Sequence, residues 1–472
     1  MTASRNAGGN AEAVAFDLDA ALVQGANANN TLHANHINPR FAKSLGLIGF
    51  DKTYVRAEGA HLWDKDGARY LDMLAGYGVY NMGRNNPVVR DALADYLSRD
   101  AASLAQMEAP VLSGVLAEEL KKRVPGYDYV YFTNSGAEGV ETAIKFAHQA
   151  TKRPAILYTS SAFHGLSNGA LALNGTEVFR DGFEPLLPQT HKLPYDDLDA
   201  LEAALKAHPV AAFVVEPIQG KGVSIPKQGY LKQAADLCHR HGALFIVDEV
   251  QTGLCRTGNF LAMSHDGGVD ADMVVLSKAL SGGYVPVGAV LYRETTYNKV
   301  FSSLEKCVVH SSTFGQGGMA MVAGLASLHA LDQMDACGRA TEMGDRLGNG
   351  LLGMKDRFEF IGDVRWRGLM IGIEFQQPKS LGLRSAWSTA HMLSKDLFCQ
   401  AITIPLLRDH RTLTQVSGYN MDVIKLIPPL TLDDADVDWF LTAFEDVMEK
   451  IHKFPGPAWS TIFQIGKNAL KG

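Results

Sequence analysis

The sequence contains little cysteine and no long apolar run. Its five cysteines are scattered over 472 residues, are odd in number and never form a Cys-x-x-Cys arrangement. This pattern argues against a disulfide framework or a structural zinc site and predicts a reducing compartment, the cytoplasm. No stretch approaches the roughly 18 uninterrupted apolar residues of a membrane span, and no basic-then-apolar signal opens the chain, so we expect no membrane insertion.

The chain also lacks an excess charge of one sign and a dinucleotide-binding motif. Its 44 basic and 51 acidic residues give a net charge of −7, with no long run of either sign. This balance argues against a general nucleic-acid surface. No Gly-x-Gly-x-x-Gly opens a helix after a predicted strand, which argues against a dinucleotide-dependent oxidoreductase.

The middle of the chain alternates between predicted strands and predicted helices. Short apolar runs predict strands, whereas apolar residues recurring every three or four positions predict helices. The predicted strands are 129–132, 155–158, 212–215, 244–247 and 273–277, and the predicted helices are 137–149, 197–205 and 230–239. This alternation predicts a mostly parallel sheet covered by helices.

The last quarter of the chain has a different character. Residues 358–375 and 403–407 are strand-like, and residues 434–451 have the pattern of a terminal amphipathic helix. These segments predict a smaller α+β domain.

Lys278 is the residue that most directly indicates a catalytic function. It follows the apolar run 273–277, and Asp248 closes the apolar run 244–247. An amine and a carboxylate that both end buried strands would be unfavourable if left unpaired, and α/β folds place their ligands at this rim of the sheet. A lysine held there with a depressed pKa is suited to form a Schiff base with a carbonyl cofactor.

Three other segments follow or end predicted strands. Asn134-Ser135-Gly136-Ala137 joins a strand to a helix and could bind an anion, although an ordinary serine N-cap also explains it. The aromatic ring of Phe163 could lie on a planar heterocycle or simply fill the core. Glu216 ends a strand next to the one that Asp248 ends, which suggests a shared polar pocket.

Together these segments resemble the class III aminotransferases, pyridoxal-phosphate enzymes that include the ornithine, putrescine and 4-aminobutyrate aminotransferases. The matches occur in family order over roughly residues 45 to 450. They are Asn134-Ser135-Gly136-Ala137-Glu138, Phe163-His164-Gly165, Glu216-Pro217-Ile218-Gln219-Gly220, Asp248-Glu249-Val250-Gln251-Thr252-Gly253, Ser277-Lys278-Ala279 and Ser312-Thr313-Phe314-Gly315.

The resemblance implies an α/β enzyme of fold type I. Its large domain would surround a mostly parallel sheet, and its smaller α+β domain would be built from both chain ends. We expect a partly disordered N-terminal extension at 1–36. The small domain would comprise 37–85 and 346–472, and the large cofactor-binding domain would comprise 86–345.

The resemblance further implies pyridoxal 5′-phosphate as the cofactor and assigns two catalytic residues. Lys278 would hold the cofactor as a Schiff base and later move a proton at the substrate carbon. Asp248 would pair with the pyridinium nitrogen and keep it protonated, so that the ring can accept electrons.

The other implied contacts surround the cofactor. Phe163 and Val250 would lie on opposite ring faces, with His164 and Gln251 close by and Glu216 supporting the ring contacts. The phosphate would be bound by Ser135, Gly136, Ala137 and, from the neighbouring subunit, Thr313. This last contact implies a homodimer.

The resemblance implies that Tyr77 lines the substrate pocket, but the sequence departs from the ornithine-type pattern at three other positions where substrates bind. Leu166 replaces an arginine that clamps a carboxylate of 2-oxoglutarate, and Lys221 and Lys425 replace a glutamate–arginine pair that gates the substrate α-carboxylate. Lysine does not reproduce the bidentate fork of arginine. We therefore expect a larger, more apolar amine or carbonyl substrate, of a lipid-like or polyketide-like kind.

Two alternatives share the cofactor-binding residues. An aminomutase or decarboxylase on the same fold would also need Lys278 and Asp248. A catalytically inactive cofactor-binding protein is the third interpretation. A half-reaction separates them, because only an aminotransferase converts an amine donor to a released carbonyl product while retaining the amino group.

Overall fold

A computed structural model describes residues 16–105, 107–395, 397–456 and 459. Its first part consists of two helices and an antiparallel set of strands. The elements are α1 (Leu18–His36), α2 (Pro39–Ile48), β1 (Tyr54–Glu58), β2 (His61–Asp64) and β3 (Arg69–Asp72). Within the predicted N-terminal extension, residues 18–36 are helical. Asp17 caps α1 by accepting a hydrogen bond from the Ala20 N–H at 2.9 Å. Residues 1–15 lie outside the described part.

The central sheet has seven strands. They are β4 (Tyr129–Thr133), β5 (Ala155–Thr159), β6 (Thr190–Leu193), β7 (Val210–Val215), β8 (Leu244–Asp248), β9 (Met273–Leu276) and β10 (Gly288–Tyr292). Their spatial order is β4-β10-β9-β8-β7-β5-β6. Strand β10 runs antiparallel to β4 and β9, and the other pairings are parallel. The predicted mostly parallel sheet is confirmed.

The helices of this part of the chain are α3 (Ala75–Gly78), α4 (Pro87–Leu97), α5 (Ser113–Arg123), α6 (Gly136–Thr151), α7 (Asn168–Ala172), α8 (Leu198–Ala207), α9 (Tyr230–Arg240), α10 (Glu294–Val300) and α11 (Gly318–Gln333). Of these, α6 packs against β4, β7, β8, β9 and β10, and α9 packs against β8. Successive residues of β7 and β8 belong to different apolar clusters: Phe213 and Val247 lie in one, and Val214 and Ile246 lie in the other. Both faces of the sheet are therefore buried, which explains its continuous apolar strands.

The C-terminal part returns to the N-terminal sheet. Its elements are α12 (Ala336–Leu352), β11 (Ile361–Arg367), β12 (Met370–Phe375), α13 (Leu381–Leu393), α14 (Leu397–His410), β13 (Thr412–Leu413), β14 (Gln415–Val416), β15 (Val423–Leu426) and α15 (Asp434–Ile451). Strands β11, β12, β15 and β14 form one sheet, whereas β13 pairs in parallel with β3. Strands from the two ends of the chain therefore share a sheet.

One predicted strand is wrong. Residues 403–407 lie within helix α14, which even contains Pro405. Ile402, Thr403 and Ile404 are all buried, and successive residues of a helix point about 100° apart, so burial is not confined to one face of this helix. A short apolar run buried all round carries no periodicity that distinguishes a helix from a strand. The strand-like segment 358–375 does contain β11 and β12, and the terminal helix 434–451 is confirmed with a capping box between Asp433 and Asp436. Among the described residues, no helix is both long and apolar enough to cross a bilayer.

Arg256 connects the central part of the molecule to both chain ends. Its buried guanidinium donates hydrogen bonds to the Leu369 carbonyl at 2.9 Å, the Pro428 carbonyl at 2.5 Å and the Asn81 Oδ1 at 2.6 Å. Burial lowers the pKa of Arg256 to about 9. The Arg256 side chain thus supplies three buried acceptors with the hydrogen bonds that water would otherwise donate. The sequence alone did not reveal this role.

We expect Arg256→Leu to lower the free energy of unfolding by about 3 kcal/mol, because three buried acceptors lose their donor. Urea denaturation followed by circular dichroism would measure the change. Arg90→Leu is a matched control at an exposed site and should change stability by no more than about 0.5 kcal/mol. Equal denaturation midpoints for the two variants would contradict this role.

Candidate active site

The predicted site residues converge on one cavity of about 560 Å³ at the carboxyl ends of strands β8 and β9. This volume is typical of a small-molecule or cofactor pocket. Eight of the residues predicted from the sequence line it: Ser135, Gly136, Ala137, Phe163, His164, Asp248, Val250 and Lys278. The parallel strands bring these residues together from segments far apart in the sequence.

Lys278 begins a short 3-10 turn directly after β9. Its φ of 40° lies in the left-handed region, an unfavourable conformation for a residue with a side chain. Burial lowers the pKa of the Lys278 amine, while the charges of Asp248 and Glu216 oppose this shift. The lowered pKa increases the fraction of neutral amine, which is the nucleophilic form.

Asp248 forms a buried pair with His164. The His164 Nδ1 and Asp248 Oδ2 atoms are 2.7 Å apart, and Asp248 Oδ1 accepts a hydrogen bond from the Val250 N–H at 3.0 Å. Burial opposes protonation of His164, but the hydrogen bond to Asp248 and its charge outweigh burial and raise the pKa of His164. The pair fixes the carboxylate at the cavity wall, with both of its oxygens oriented by protein groups.

The start of helix α6 approaches Val250 closely at Gly136. A Cβ atom added to Gly136 would lie 2.8 Å from Val250 Cγ1. Ser135 caps the helix by accepting a hydrogen bond from the Glu138 N–H at 3.1 Å, so the serine N-cap interpretation also holds. The uncapped N–H groups of this first turn face a cavity and suit an anion.

We expect Gly136→Ala to weaken pyridoxal phosphate binding about tenfold, because the added methyl group must displace Val250 or the start of α6. Fluorescence titration of the cofactor-free protein would measure the dissociation constant. Gly114→Ala is the matched control, since a Cβ atom at this helical position meets no atom within 4 Å. Equal affinities in both variants would contradict the tight fit at Gly136.

Glu216 lies behind the cavity. Its Oε1 accepts a hydrogen bond from the Phe163 N–H at 3.0 Å, and its Oε2 accepts one from the Gly220 N–H at 2.8 Å. Burial raises the pKa of Glu216. The carboxyl group therefore holds the backbone that carries Phe163, in keeping with the supporting role predicted for it.

Glu249 faces away from the cavity although it follows Asp248 directly. It accepts hydrogen bonds from the Thr252 hydroxyl at 2.5 Å and from the N–H groups of Ala262 and Met263 at 3.0 and 2.8 Å. Burial raises its pKa to about 7. The two adjacent carboxylates at the end of this strand therefore have different roles: Asp248 lines the cavity, and Glu249 holds a loop.

Lys425 is buried beside the site and is held by two acceptors. Its Nζ donates to the Gly220 carbonyl at 2.6 Å and to Gln251 Oε1 at 3.2 Å. Burial and the neighbouring Lys278 charge lower the pKa of Lys425 to about 7. Gln251 in turn donates to the Tyr77 carbonyl at 3.0 Å. The amine is already hydrogen-bonded to two protein oxygens. Unlike an arginine, it cannot bind a carboxylate through two parallel hydrogen bonds.

Lys221 lies over two aromatic rings. Its Nζ is 3.7 Å from the centroid of the Phe179 ring and 5.1 Å from that of Phe163. Burial lowers the pKa of Lys221 to about 8, while the charge of Glu216 opposes this shift. Phe179 also packs edge-on against Phe163 at 5.8 Å. Lys221, Phe163 and Phe179 therefore form an aromatic–amine cluster next to the cavity.

Six sequence-predicted residues lie outside the cavity lining: Glu216, Lys221, Gln251 and Lys425, described above, and also Tyr77 and Thr313. The Tyr77 side chain is 53% exposed, and only its carbonyl contacts the site, through Gln251. Thr313 is exposed on a loop whose neighbour Ser312 accepts a hydrogen bond from the Asn134 side chain at 2.8 Å. The reach of Thr313 into a neighbouring subunit's site stays a prediction.

Sequence reasoning missed several wall residues. Val79 and the stretch Tyr284-Val285-Pro286-Val287 line the cavity. Phe179 belongs to a 3-10 turn, Glu177–Phe179, in a long connection. No periodic pattern marks these positions, although the two glycines before Tyr284 signal a turn close to Lys278.

The fold and the lysine–aspartate cavity define a pyridoxal-phosphate enzyme of fold type I. The family profile described as aminotransferase class-III matches residues 49–448. The chain belongs to this family.

Curated and solved relatives agree with this assignment. The aminotransferase PigE of a Serratia species is 34% identical over 93% of this chain, which spans 55% of the length of PigE. Ornithine aminotransferase from Toxoplasma gondii is 30% identical, with a TM-score of 0.74 over 85% of this chain and 91% of that chain. An amine transaminase from an uncultivated Pseudomonas species is 27% identical, with a TM-score of 0.74 over 85% of this chain and 95% of that chain.

The cofactor of this chain is pyridoxal phosphate, which the solved structure of the Pseudomonas amine transaminase contains. The residues present fit it. The cavity offers an amine at Lys278 for the aldehyde, a carboxylate at Asp248 for the ring nitrogen and a helix start at Gly136 for the phosphate. The close approach of Gly136 to Val250 leaves no space for a side chain there, as a backbone cradle requires.

Proposed function

We propose that the protein is an aminotransferase that moves an amino group between a primary amine or amino acid and an aldehyde or keto acceptor by a ping-pong mechanism. The observation that carries the proposal is the shared cavity of Lys278 and the Asp248–His164 pair. Bound pyridoxal phosphate supplies an electron-accepting ring and an aldehyde carbon. The protein supplies the amine, the proton transfers and the orientation.

Each residue has a definite task in this proposal. Lys278 Nζ would hold the cofactor covalently at rest and then accept a proton from the substrate carbon. Asp248 would keep the ring nitrogen protonated, and His164 orients Asp248. Phe163 and Val250 would contact the ring, with Gln251 beside it, and Glu216 holds the Phe163 backbone in position.

The phosphate site of the proposal is shared between two subunits. Ser135, Gly136 and Ala137 bind the phosphate through the start of α6, and the partner's Thr313 completes the contact. The exposed loop that carries Thr313 supports this arrangement, because a loop that serves a partner's site must lie at the surface. We accordingly propose a homodimer, with 37–85 and 346–472 forming one small domain around the large domain 86–345.

The substrate in this proposal is a larger, more apolar amine or carbonyl compound of lipid-like or polyketide-like character. Leu166 is 55% exposed immediately after Phe163-His164-Gly165, where the ornithine-type pattern has an arginine. Lys221 is engaged with aromatic rings and Lys425 with protein oxygens. None of these three residues offers a bidentate carboxylate clamp.

Steady-state assays test the substrate class. We expect low kcat/KM values for ornithine, acetylornithine and 4-aminobutyrate with 2-oxoglutarate, and higher values for long-chain amines and aldehydes. Efficient turnover of the amino acids with 2-oxoglutarate would overturn the apolar-substrate proposal. A half-reaction with an amine alone, releasing a carbonyl product, tests transamination itself against mutase or decarboxylase chemistry.

We expect Leu166→Arg to raise kcat/KM for 2-oxoglutarate by about tenfold, because a guanidinium restores a carboxylate partner at this position. Stopped-flow measurement of the second half-reaction would give the value. Leu166→Gln is the matched control, with a polar but uncharged side chain, and should not produce the gain. An unchanged kcat/KM for 2-oxoglutarate in Leu166→Arg would indicate that the carboxylate of the acceptor binds elsewhere.

A further inference from the structure

Two cysteines that play no part in the proposed reaction lie in contact. The Sγ atoms of Cys255 and Cys337 are 2.6 Å apart, although 82 positions separate the residues in the sequence. Both are reduced. Cys255 belongs to the loop that leaves β8, and Cys337 lies in the first turn of helix α12.

The loop side of this contact is held in a strained conformation. Leu254 and Cys255 have φ values of 57° and 69°, in the left-handed region that residues with side chains rarely adopt. The Leu254 N–H donates to the Phe260 carbonyl at 2.7 Å, and the Leu254 carbonyl accepts from the Asn81 side chain at 2.8 Å. Such strain persists only where the surroundings impose it, so the Cys255 thiol has a fixed direction.

The helix side is equally fixed. Asp335 caps α12, and the Thr341 hydroxyl donates to the Cys337 carbonyl at 3.1 Å. A Cβ atom added to Gly258, which closes the Cys255 loop, would lie 2.5 Å from the Thr341 Oγ1 atom. Loop and helix are therefore in direct contact, which holds the backbone segments that carry the two thiols close together.

The two thiols differ in accessibility. Cys255 is 5% exposed, whereas Cys337 is partly exposed to solvent. The hydrogen bond between the sulfurs raises the pKa of Cys255 and lowers that of Cys337. Because the thiolate is the reactive form, Cys337 is both the reachable and the more readily ionised partner.

We propose that Cys255 and Cys337 form a reversible modification site that takes a low-molecular-weight disulfide as its oxidant. The Cys337 thiolate attacks one sulfur of the oxidant and releases the other half as a thiolate. Cys255 then loses its proton and attacks the Cys337 sulfur, forming the intramolecular S–S bond and releasing the second thiol. The protein loses two electrons and two protons, and the oxidant is reduced to two thiols.

The bond would join the loop that leaves the active site at Asp248 to the C-terminal part of the molecule. The Cys255 loop starts at Asp248 and carries Gln251, whereas α12 leads to strands β11 and β12. An S–S bond between them would restrict their relative motion and lower the entropy of the unfolded chain. We therefore expect oxidation to raise Tm by about 3 °C or more. The inference does not depend on the proposed aminotransferase reaction.

The test uses holoenzyme with Cys307→Ser, since Cys307 is exposed and would react by itself. This protein retains four of its five cysteines. After treatment with oxidised glutathione, denaturation and alkylation, we expect two alkylated cysteines and a proteolytic fragment that links residues 255 and 337. Reduction with dithiothreitol should restore four.

Two results would overturn the proposal. One is four alkylated cysteines after oxidation, and the other is glutathione that remains attached to Cys337 without a link to Cys255. Cys337→Ser in the same background should keep its three cysteines alkylated and show no rise in Tm. Should this variant fold poorly, the fragment map of the Cys307→Ser protein alone decides between the outcomes.

Discussion

Replacing Lys278 with alanine should abolish conversion of an amine donor to its carbonyl product, with a loss on the order of 10⁴-fold or more. Among the described residues that line the cavity, no other side chain has both the position and the lowered pKa of this amine. The variant should still bind pyridoxal phosphate, because the ring and phosphate contacts remain. Rapid-scan absorbance of the half-reaction measures the rate, and borohydride treatment followed by peptide mapping shows whether the cofactor is fixed to residue 278.

Lys206→Ala is the matched control for this experiment, because Lys206 lies at the surface beside Glu202. It should retain the rate and the borohydride-fixed cofactor of the unmodified protein. A Lys278→Ala protein that still releases carbonyl product at a comparable rate would refute the proposed mechanism. A chromophore fixed to another peptide would relocate the site.

Asp248→Asn should slow the half-reaction by about 10²- to 10³-fold while leaving the protein folded. The amide cannot neutralise a protonated ring nitrogen, and it removes the charge that raises the pKa of His164. The cofactor's absorbance band should shift as its ring nitrogen loses the proton, a readout that simple destabilisation would not produce.

Asp272→Asn provides a comparison outside the cavity. Asp272 also contacts a histidine, His239, at 2.9 Å and accepts a hydrogen bond from the Phe245 N–H. Its replacement should reduce stability but leave both the rate per folded molecule and the absorbance band unchanged. If Asp248→Asn left the rate and the absorbance band unchanged as Asp272→Asn does, Asp248 would have a role in packing and not in the reaction.

The central sheet was predictable because its strands are buried on both faces. A run such as Val210–Val215 is apolar throughout, and helices with clear stripes separate the runs. Residues 403–407 have the same apolar appearance but form part of α14. Only the surrounding structure decides between helix and strand for so short a run, and sequence periodicity carries no information about it.

The site could be predicted where its reactive side chains lie at the ends of strands. Asp248 and Lys278 follow buried strands, and parallel strands bring such positions to one rim. The opposite orientations of Asp248 and Glu249 also follow from the alternation of side chains along a strand, a signal that the sequence contained. The position of Phe179 under Lys221 could not be predicted, because Phe179 lies in a long connection that has no periodic sequence pattern.

The pairing of β13 with β3 has a consequence for biosynthesis. Thr412 and Leu413 pair with Leu71 and Asp72, so β3 can complete its pairing only after a strand more than 300 residues later in the chain has been synthesised. Until then β3 presents an open edge, which can associate with other chains. Chaperone demand and aggregation during expression should therefore concentrate on nascent chains that have not yet reached residue 412.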